Sequence, residues 1–266
     1  MKITIAGCGN MGLVYARAFL RYNIVKKENL LLVEKNEQRK EELQKLDIGK
    51  VVTMNDPAVA ESELVILSVK PQDFSEIAEG LANILKPATL LVSIMAGKKI
   101  TLLQKKLNHK NIVRAMPNSP VELGMGITGF SVSESISMEQ IRKVENLLGT
   151  TGRTVFFEDE NLLDAVTALS GSGPAYFYYI LKSMIDAGKE MGFDEATSTL
   201  LVKQTMLGAF HLFNNANKSL DELIQTVASK GGTTEAALRT FNDNNVNKFL
   251  IEGIKNAEKR AKELSE

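Results

Sequence analysis

A glycine-rich loop between a short apolar strand and a helix constrains the fold of this chain more than any other feature. Ile3 to Ala6 has the character of a buried strand, Gly7-Cys8-Gly9-Asn10-Met11-Gly12 follows, and Leu13 to Leu20 has helical spacing. In this G-x-G-x-x-G pattern the first glycine makes a tight turn, the second admits a pyrophosphate, and the third lets the helix pack on the strand. Because free amides and the helix dipole attract phosphate, we expect a dinucleotide cofactor at this loop.

Apolar strand-like segments alternate with helical segments through the first 158 residues. The predicted strands after the first are Leu30 to Val33, Leu64 to Val69, Thr89 to Met95, Ile112 to Met116, Gly126 to Val132 and Thr154 to Phe157. Such alternation predicts a doubly wound sheet, whose ligands bind beyond the carboxyl ends of the strands. We expect one crevice to be lined by residues that follow predicted strands, namely Gly7, Lys70, Ala96 and Asn118.

The pattern changes after Glu158, where strand-like segments give way to helices. The predicted helices cover Asn161 to Leu169, Pro174 to Met191, Asp194 to Phe213, Ser219 to Val227, Thr233 to Phe241 and Val246 to Leu264. We therefore predict an α/β doubly wound domain at residues 1–158, followed by an all-α domain at residues 159–266.

A glycine and serine turn opens the most apolar of these helices. Leu169-Ser170-Gly171-Ser172-Gly173-Pro174 leads into a segment whose apolar residues continue nearly all round the helix to Ala187. Pro174 suits the first helical turn, where its missing N–H costs nothing. Since a helix that is apolar on most faces is usually buried, we predict a central helix with the C-terminal half of the chain packed around it.

Composition excludes several classes of function. Lys+Arg and Asp+Glu both number 32, so no basic excess supports binding to nucleic acid or anionic membranes. The only histidines, His109 and His211, and the single cysteine, Cys8, form no metal-binding spacing. No apolar run approaches the ~20 residues that span a bilayer. The first residues read directly as a strand rather than as a signal peptide, so we expect a cytoplasmic protein.

Two further stretches carry candidate binding residues. Ala228-Ser229-Lys230-Gly231-Gly232-Thr233-Thr234-Glu235 is rich in hydroxyls and amides and opens a helix, which suits either a carboxylate site or an ordinary capped loop. Glu34 lies about twenty residues beyond the glycine loop, where an acid binds the ribose of NAD. Lys35, Asn36, Arg39 and Lys40 follow at once and suit a 2′-phosphate, so the residues alone leave the choice of cofactor open.

These stretches together resemble the pyrroline-5-carboxylate reductase family. The resemblance covers Gly7 to Gly12, Val69 to Gln72, Ser93 to Gly97, Arg114 to Pro120, Thr167 to Tyr176 and Ser229 to Thr234. It implies a Rossmann domain, a helical domain that interlocks with that of a second subunit, and a homodimer or ring of dimers. The implied reaction reduces the C=N bond of 1-pyrroline-5-carboxylate to give L-proline, with hydride from NADPH; Glu34 keeps NADH open.

The resemblance also implies roles for individual residues. Thr234 is the implied catalytic residue. Either its hydroxyl orients a proton relayed from water to the imine nitrogen, or the substrate binds as an already protonated iminium. The implied substrate contacts are Ser229, Gly231, Gly232, Thr233, Thr234 and Glu160. The implied cofactor contacts are Gly7, Gly9, Asn10, Met11, Gly12, Glu34, Lys35, Asn55, Val69, Lys70, Pro71, Ala96 and Gly97. No metal site is implied. Lys230 departs from the family, which usually has proline there, so the rigidity of this loop is in question.

Two alternatives remain at this point. A β-hydroxyacid dehydrogenase also joins a Rossmann domain to a helical one, but it needs a lysine early on the long helix, and none precedes Lys182. A non-catalytic NADP-binding regulator would keep the glycine loop without needing a carboxylate site. Such a regulator would be stabilised by the cofactor but not further by proline.

Overall fold

An eight-stranded sheet forms the centre of the first part of the chain. The computed structural model describes residues 1–265. The strands are β1 Ile3–Ala6, β2 Leu30–Val33, β3 Lys50–Val52, β4 Leu64–Leu67, β5 Leu90–Ser93, β6 Ile112–Met116, β7 Gly126–Val132 and β8 Gly152–Phe156. Their spatial order is β3-β2-β1-β4-β5-β6-β7-β8. The predicted doubly wound sheet is therefore confirmed.

Strand β1 lies where the order of the sheet reverses. It pairs in parallel with β2 on one side and with β4 on the other, so that Ile3 faces both Leu30 and Leu64. Strand β7 departs from this pattern because it runs antiparallel to β6. Strand β3 was not predicted, since its three residues include Lys50 and are too short for an apolar pattern.

Both faces of the sheet are covered by the helices that connect its strands. Ile3 and Ile5 point into one cluster, which also contains the fully buried Tyr15 and Phe19 of the first helix. Residues on the opposite face, such as Val65, pack into a second cluster. Burying a large apolar side chain contributes about 1.5–3 kcal/mol, so these two layers account for much of the stability of the domain.

The helices complete the architecture. They are α1 Asn10–Arg21, α2 Glu37–Leu46, α3 Phe74–Ile84, α4 Ile100–Leu107, α5 Met138–Gly149, α6 Leu162–Val166, α7 Gly173–Glu190, α8 Glu195–Asn215, α9 Leu220–Val227, α10 Thr233–Asp243 and α11 Val246–Ser265. The predicted all-α region after the sheet is confirmed. Within residues 1–265, none of the helices has the length and apolar character that crossing a bilayer requires.

The chain forms two compact units. The first contains Met1–Ser172 together with the residues from Ala257 onward, and the second contains Gly173–Asn256. The end of α11 therefore belongs to the unit that carries the sheet. The division into 1–158 and 159–266, drawn from the change of sequence pattern at Glu158, stays a prediction.

Helix α7 is not buried within its own chain, so the prediction of a central buried helix is wrong. Only Gly173 and Gly188 are buried along it, whereas Tyr179 is 73% exposed. Helix α8 packs on α7 at one point, where a Cβ added to Gly188 would lie 2.7 Å from Ser198 Oγ. The apolar pattern indicated correctly that the faces need covering, but these 265 residues supply little of the cover.

The segment before α7 is a π-helical turn, Thr167–Gly171, rather than the predicted open glycine turn. The Ser172 amide donates to the Thr167 carbonyl at 2.9 Å, as the wider π-helical spacing requires. Gly171 serves a close approach, because an added Cβ would lie 2.5 Å from Met116 Cε. Gly171 therefore packs against the end of the flexible Met116 side chain on β6, and its φ is not positive.

Candidate active site

A cleft of about 460 Å³ opens at the carboxyl ends of the strands on either side of β1. Its lining includes Gly7, Gly9, Glu34, Lys35, Val69 and Lys70. Glu34 and Lys35 follow β2, and Val69 and Lys70 follow β4. The cleft thus lies at the point where the strand order reverses, which is where sheets of this kind bind dinucleotides.

The three motif glycines are required for three different reasons. Gly7 has φ +96°, and an added Cβ would lie 2.6 Å from the Val69 amide nitrogen. A Cβ on Gly12 would lie 2.2 Å from the Gly7 carbonyl oxygen, so any side chain there would push α1 off the strand. Gly9 caps α1 and has no atom near its missing Cβ, which leaves space for a ligand beside the helix N-terminus.

Cys8 lies beneath this loop and is fully buried. Its sulfur is 3.7 Å from the Ile5 carbonyl oxygen and 3.8 Å from that of Val33. Burial raises the pKa of the thiol to about 12, and the neighbouring Glu34 carboxylate adds to the increase. The thiol is therefore protonated at neutral pH, which suits packing and not redox chemistry.

Charged groups of both signs meet at the end of the cleft beside β2. One Glu34 carboxylate oxygen accepts from the Lys35 amide at 2.8 Å and from the Asn36 amide at 3.1 Å. Arg39 Nη2 donates to the Cys8 carbonyl at 3.3 Å, which holds the guanidinium against the glycine loop. Hydrogen bonding to Glu76 raises the pKa of Lys35. Lys40 also lines the cleft.

The remaining predicted cofactor residues lie around the cleft rather than in its lining. Asn10, Met11 and Gly12 form the first turn of α1, and Pro71 begins a short 3₁₀ turn directly after Lys70. Asn55 is exposed, next to the lining residue Met54. Ala96 and Gly97 follow β5, one strand beyond β4. Gly97 has φ +69°, and an added Cβ would lie 2.7 Å from the Leu264 carbonyl oxygen.

Glu160, a predicted substrate contact, already has two partners in the sheet-containing unit. The same carboxylate oxygen accepts from the Ile100 amide at 2.8 Å and from Arg114 Nη1 at 3.1 Å. Because Ile100 begins α4, Glu160 caps that helix. The interaction fixes the orientation of the carboxylate and leaves its second oxygen without a described partner.

Arg114 belongs to a buried polar cluster that the sequence analysis missed. Its side chain is 3% exposed, and Nη2 donates to Asp164 Oδ1 at 2.6 Å. The Ser265 hydroxyl lies 3.0 Å from the same Asp164 oxygen. An arginine inside the otherwise apolar strand Ile112–Met116 was the signal available, since a buried charge needs a partner.

The predicted substrate turn connects α9 to α10 in the helical unit. Gly231 has φ +75°, and its amide donates to the Glu235 carboxylate at 2.6 Å. A Cβ on Gly232 would lie 2.6 Å from Ser229 Oγ and 3.0 Å from the Ser229 carbonyl oxygen, so a side chain there would displace the Ser229 hydroxyl. Lys230, the second residue of this turn, is exposed, and its effect on the rigidity of the loop stays a prediction.

One amide predicted to bind substrate is occupied. The Gly232 N–H donates to the Ser229 carbonyl at 3.0 Å. The amides of Thr233 and Thr234 open α10, where N–H groups lack intrahelical acceptors and can bind an anion. Thr234 is half-buried, whereas Ser229 and Thr233 are exposed.

The two histidines make structural contacts and belong to no metal site. His109 is buried, and its Nε2 lies 2.7 Å from the Thr89 carbonyl oxygen. His211 is exposed and lies edge-on to Phe210. Across the described part of the chain, no group of three or more His, Cys, Asp or Glu side chains could hold a metal ion.

Known proteins match both parts of the chain. Residues 160–264 match the family described as pyrroline-5-carboxylate reductase dimerisation, and residues 2–97 match NADP oxidoreductase, coenzyme F420-dependent. Pyrroline-5-carboxylate reductase of Pseudomonas aeruginosa is 39% identical over 217 residues, which cover 81% of this chain and 80% of that protein.

Solved structures extend the similarity to the whole chain. Pyrroline carboxylate reductase of Plasmodium falciparum with NADP bound has a TM-score of 0.88 at 26% identity, covering 100% of this chain and 98% of that one. A pyrroline-5-carboxylate reductase from Coxiella burnetii also has a TM-score of 0.88, at 30% identity and the same coverage.

Proposed function

This chain belongs to the pyrroline-5-carboxylate reductase family, and we propose that its cleft binds the cofactor while the Ser229–Thr234 turn binds the substrate. The reaction reduces 1-pyrroline-5-carboxylate to L-proline with NAD(P)H, which is the final step of proline biosynthesis. When bound, the reduced nicotinamide supplies a hydride to the imine carbon. The protein contributes binding, orientation and proton placement. The alternative of a hydroxyacid dehydrogenase fails on family membership, and Lys182 is exposed and paired with Asp186.

The glycine loop holds the pyrophosphate in this proposal. The space beside Gly9 faces the N-terminus of α1, where backbone N–H groups and the helix dipole favour negative charge. Gly7 keeps the turn tight, and Gly12 keeps α1 against the strand. Val69, Lys70 and Pro71 border the cleft at the end of β4, so that they contact the middle of the dinucleotide.

The adenosine end supports NADPH. Lys35 and Lys40 line the cleft, and Arg39 is held against the glycine loop. In this proposal these three cations, each of which pairs with a glutamate in the free protein, turn to the 2′-phosphate. Glu34 opposes them, but its carboxylate is turned onto the Lys35 and Asn36 amides, which partly neutralise it. The similar Plasmodium falciparum reductase, whose structure has NADP bound, supports the same preference for NADPH.

A comparison of kcat/KM for NADPH and NADH tests this preference. We expect Lys35→Ala to lower kcat/KM for NADPH about tenfold, since a charge-assisted contact is worth roughly 1.5–3 kcal/mol, with little change for NADH. Lys45→Ala, in the last turn of α2, is the matched control. A wild-type preference for NADH that disappears in Glu34→Ser would contradict the proposal and assign the choice of cofactor to Glu34.

The Ser229–Thr234 turn binds the substrate carboxylate in this proposal. The observation that carries it is a glycine-shaped turn whose Thr233 and Thr234 amides open α10 without intrahelical acceptors. The Ser229 hydroxyl adds a donor, and Lys230 adds positive charge nearby. Gly231 and Gly232 shape the turn. A carboxylate held in this way fixes the imine ring at a defined distance from the hydride donor.

Thr234 and Glu160 contribute to proton placement. The Thr234 hydroxyl is too weak an acid to supply the proton, so it orients one relayed from water to the imine nitrogen. Glu160, held by Arg114 and the Ile100 amide, can accept a hydrogen bond on its second carboxylate oxygen. In this proposal the two side chains act on the ring, whereas the Thr234 amide binds the carboxylate.

Steady-state kinetics separate these roles. We expect Thr234→Ala to lower kcat about 10–100-fold, because the proton relayed from water would lose the hydroxyl that orients it, while Thr234→Ser retains most activity. Ser229→Ala should mainly raise KM for the pyrroline. Thr240→Ala, on the exposed side of α10, is the control, since its hydroxyl bonds to the Ala236 carbonyl. Unchanged kinetics in both Thr234→Ala and Ser229→Ala would remove the proposed carboxylate site.

The protein is a homo-oligomer, and we propose a ring of dimers in the cytoplasm. The match of residues 160–264 to a dimerisation family and the exposed apolar side chains of α7 and α8 support association. The single buried Cys8 is consistent with a reducing compartment. Light scattering coupled to gel filtration would give the subunit number, and a mass of a single dimer would contradict the ring. Recovery of activity outside the cytoplasmic fraction would contradict the location.

A further inference from the structure

We propose that the C-terminal end of α11 positions the loop Met95–Ile100 for the nicotinamide half of the cofactor, through the buried group Ser265, Asp164 and Arg114. This inference rests on the cofactor orientation of the proposed function. It assigns a positioning role to residues that lie outside the cleft itself.

The topology places this loop where the nicotinamide half must extend. The cleft covers the ends of β2, β1 and β4, with the adenosine-binding charges at β2. The next strand in the sheet is β5, and Ala96 and Gly97 follow it at the same edge. A dinucleotide that runs from β2 across β1 therefore reaches this loop with its nicotinamide half.

The loop is held at two points by chain that is distant in sequence. Gly97 lies so close to the Leu264 carbonyl that an added Cβ would be 2.7 Å from the oxygen. At the other end, the Ile100 amide donates to Glu160 at 2.8 Å. Neither contact comes from the loop's own strand or helix, so its shape depends on where α11 and Glu160 lie.

One buried group connects these two contact points. Arg114 donates to Glu160 at 3.1 Å and to Asp164 at 2.6 Å, and the Ser265 hydroxyl lies 3.0 Å from Asp164. These contacts connect the two ends of the loop through a continuous network, which we call the circuit. It consists of Gly97, Leu264, Ser265, Asp164, Arg114, Glu160 and Ile100.

The composition of the circuit indicates positioning rather than stabilisation. Taking an arginine and a carboxylate out of water offsets much of their attraction, so a buried ion pair is weak evidence for stability. Arg114 and Asp164 are each 3% exposed. Fixed, directional hydrogen bonds between charged groups do set the relative placement of the elements that carry them. The same circuit orients Glu160.

Ser265→Ala tests the proposal by removing the hydroxyl while leaving the charges of Arg114 and Asp164 in place. The dissociation constants of NADPH and of 2′,5′-ADP, which lacks the nicotinamide half, are measured by calorimetry on the full-length assembled protein. We expect NADPH to bind roughly three- to tenfold more weakly, the equivalent of one hydrogen bond, and 2′,5′-ADP to bind within about twofold of wild type.

Ser265→Thr and Glu263→Ala are the matched variants. Threonine keeps the hydroxyl and should restore NADPH binding. Glu263 lies in the same final turn, but its carboxylate is exposed and pairs with Arg260, so its removal should change neither dissociation constant. If Ser265→Ala fails to fold, a chain ending at Leu264 must show the same selective loss. Equal weakening of both ligands, or no weakening of NADPH, would overturn the proposal.

Kinetics provide a second measurement. We expect Ser265→Ala to lower kcat and leave KM for the pyrroline within about twofold, because the affected loop faces the nicotinamide. Failure of the proposed function would appear in the wild type, as no turnover of 1-pyrroline-5-carboxylate. The comparison of NADPH with 2′,5′-ADP would still decide the positioning role in that case, since it requires no turnover.

Discussion

The two compact units differ in the burial of their large apolar side chains. In the sheet-containing unit, Tyr15, Phe19 and Phe130 are fully buried between strands and helices. In the helical unit, Tyr179 and Leu200 are 73% and 68% exposed. A single chain therefore closes one hydrophobic core and leaves the other open. Exposed apolar surface of this extent marks an interface, which agrees with the match to a dimerisation family.

The difference follows from how each unit can form layers. A sheet covered on both faces buries its strands without help from another molecule. The helical unit has a buried contact between α7 and α8 at Gly188, but large apolar side chains on other faces of α7, such as Tyr179, are exposed. We therefore expect the folding of this unit to depend on association with another copy.

The largest effect should come from placing charge on the open apolar faces. Leu207→Asp combined with Phe210→Asp alters two positions on α8 that are 51% and 52% exposed. We expect loss of assembly in sedimentation velocity and a fall in activity of more than about 100-fold, since burying unpaired charge costs several kcal/mol. Leu123→Asp, at a position 78% exposed in the other unit, should be tolerated. An assembled double variant would refute the contrast between the units.

A change in the sheet-containing unit should affect cofactor binding without affecting assembly. An added Cβ at Gly12 would lie 2.2 Å from the Gly7 carbonyl oxygen. Overpacking of this kind costs about 1–3 kcal/mol, so Gly12→Ala should weaken NADPH binding roughly 10–100-fold in calorimetry. Gly149→Ala, where an added Cβ meets nothing within 4 Å, is the control. Unchanged affinity, or dissociation of the oligomer, would contradict the separation of roles.

A change at the buried contact between α7 and α8 should have an intermediate effect on stability. A Cβ at Gly188 would lie 2.7 Å from Ser198 Oγ and 3.0 Å from Ser198 Cβ. We expect Gly188→Ala to lower the free energy of unfolding by about 1–3 kcal/mol in urea at fixed protein concentration. Adding Ser198→Ala removes the nearer atom and should restore part of that loss. Strictly additive effects of the two changes would show that this contact does not hold α7 to α8.

At neutral pH the smallest effect should come from Cys8, because the ionisation of this buried thiol changes stability only at alkaline pH. Burial raises the pKa of this thiol from 9.0 to about 12. The unfolded chain releases the proton near pH 9 and the folded chain retains it, so this group lowers stability as pH rises through that window. The slope is about 1.4 kcal/mol per pH unit.

Two measurements check the behaviour of Cys8. Native protein at pH 8 should resist alkylation by iodoacetamide, whereas protein unfolded in urea should react. Cys8→Ala should flatten the decline of unfolding free energy between pH 9 and pH 12. Rapid labelling of the native protein would show that the loop opens to solvent.

Local patterns predicted the elements that depend on short-range physics. The glycine loop was recognisable because its requirements are local: Gly7 has a positive φ at the turn, and Gly12 packs against the Gly7 carbonyl. The helix predicted from Ser219 to Val227 is likewise present, and Ser219 and Glu222 form a capping box at its start. Strand β3 was missed because three residues are too few to show a hydropathy pattern. The antiparallel direction of β7 was missed because the direction of a strand does not change its hydropathy pattern.

The roles of charged residues were harder to predict than the elements that carry them. Arg114 stood inside an apolar strand, yet its partners lie 46 and 50 positions away at Glu160 and Asp164. The engagement of Glu34 by its own neighbouring amides was equally invisible, because it depends on the rotamer of a single side chain.

The sequence alone was sufficient to predict the nucleotide-binding sheet, the helical second half and the family to which the chain belongs. Periodicity and glycine spacing reflect local backbone requirements, which a sequence shows directly. Folding in three dimensions alone revealed that the apolar helix α7 lacks cover from its own chain and that Ser265 reaches Asp164 across 101 positions. Both depend on which surfaces meet at long range, and a hydropathy pattern states only that a face must be covered, not by what.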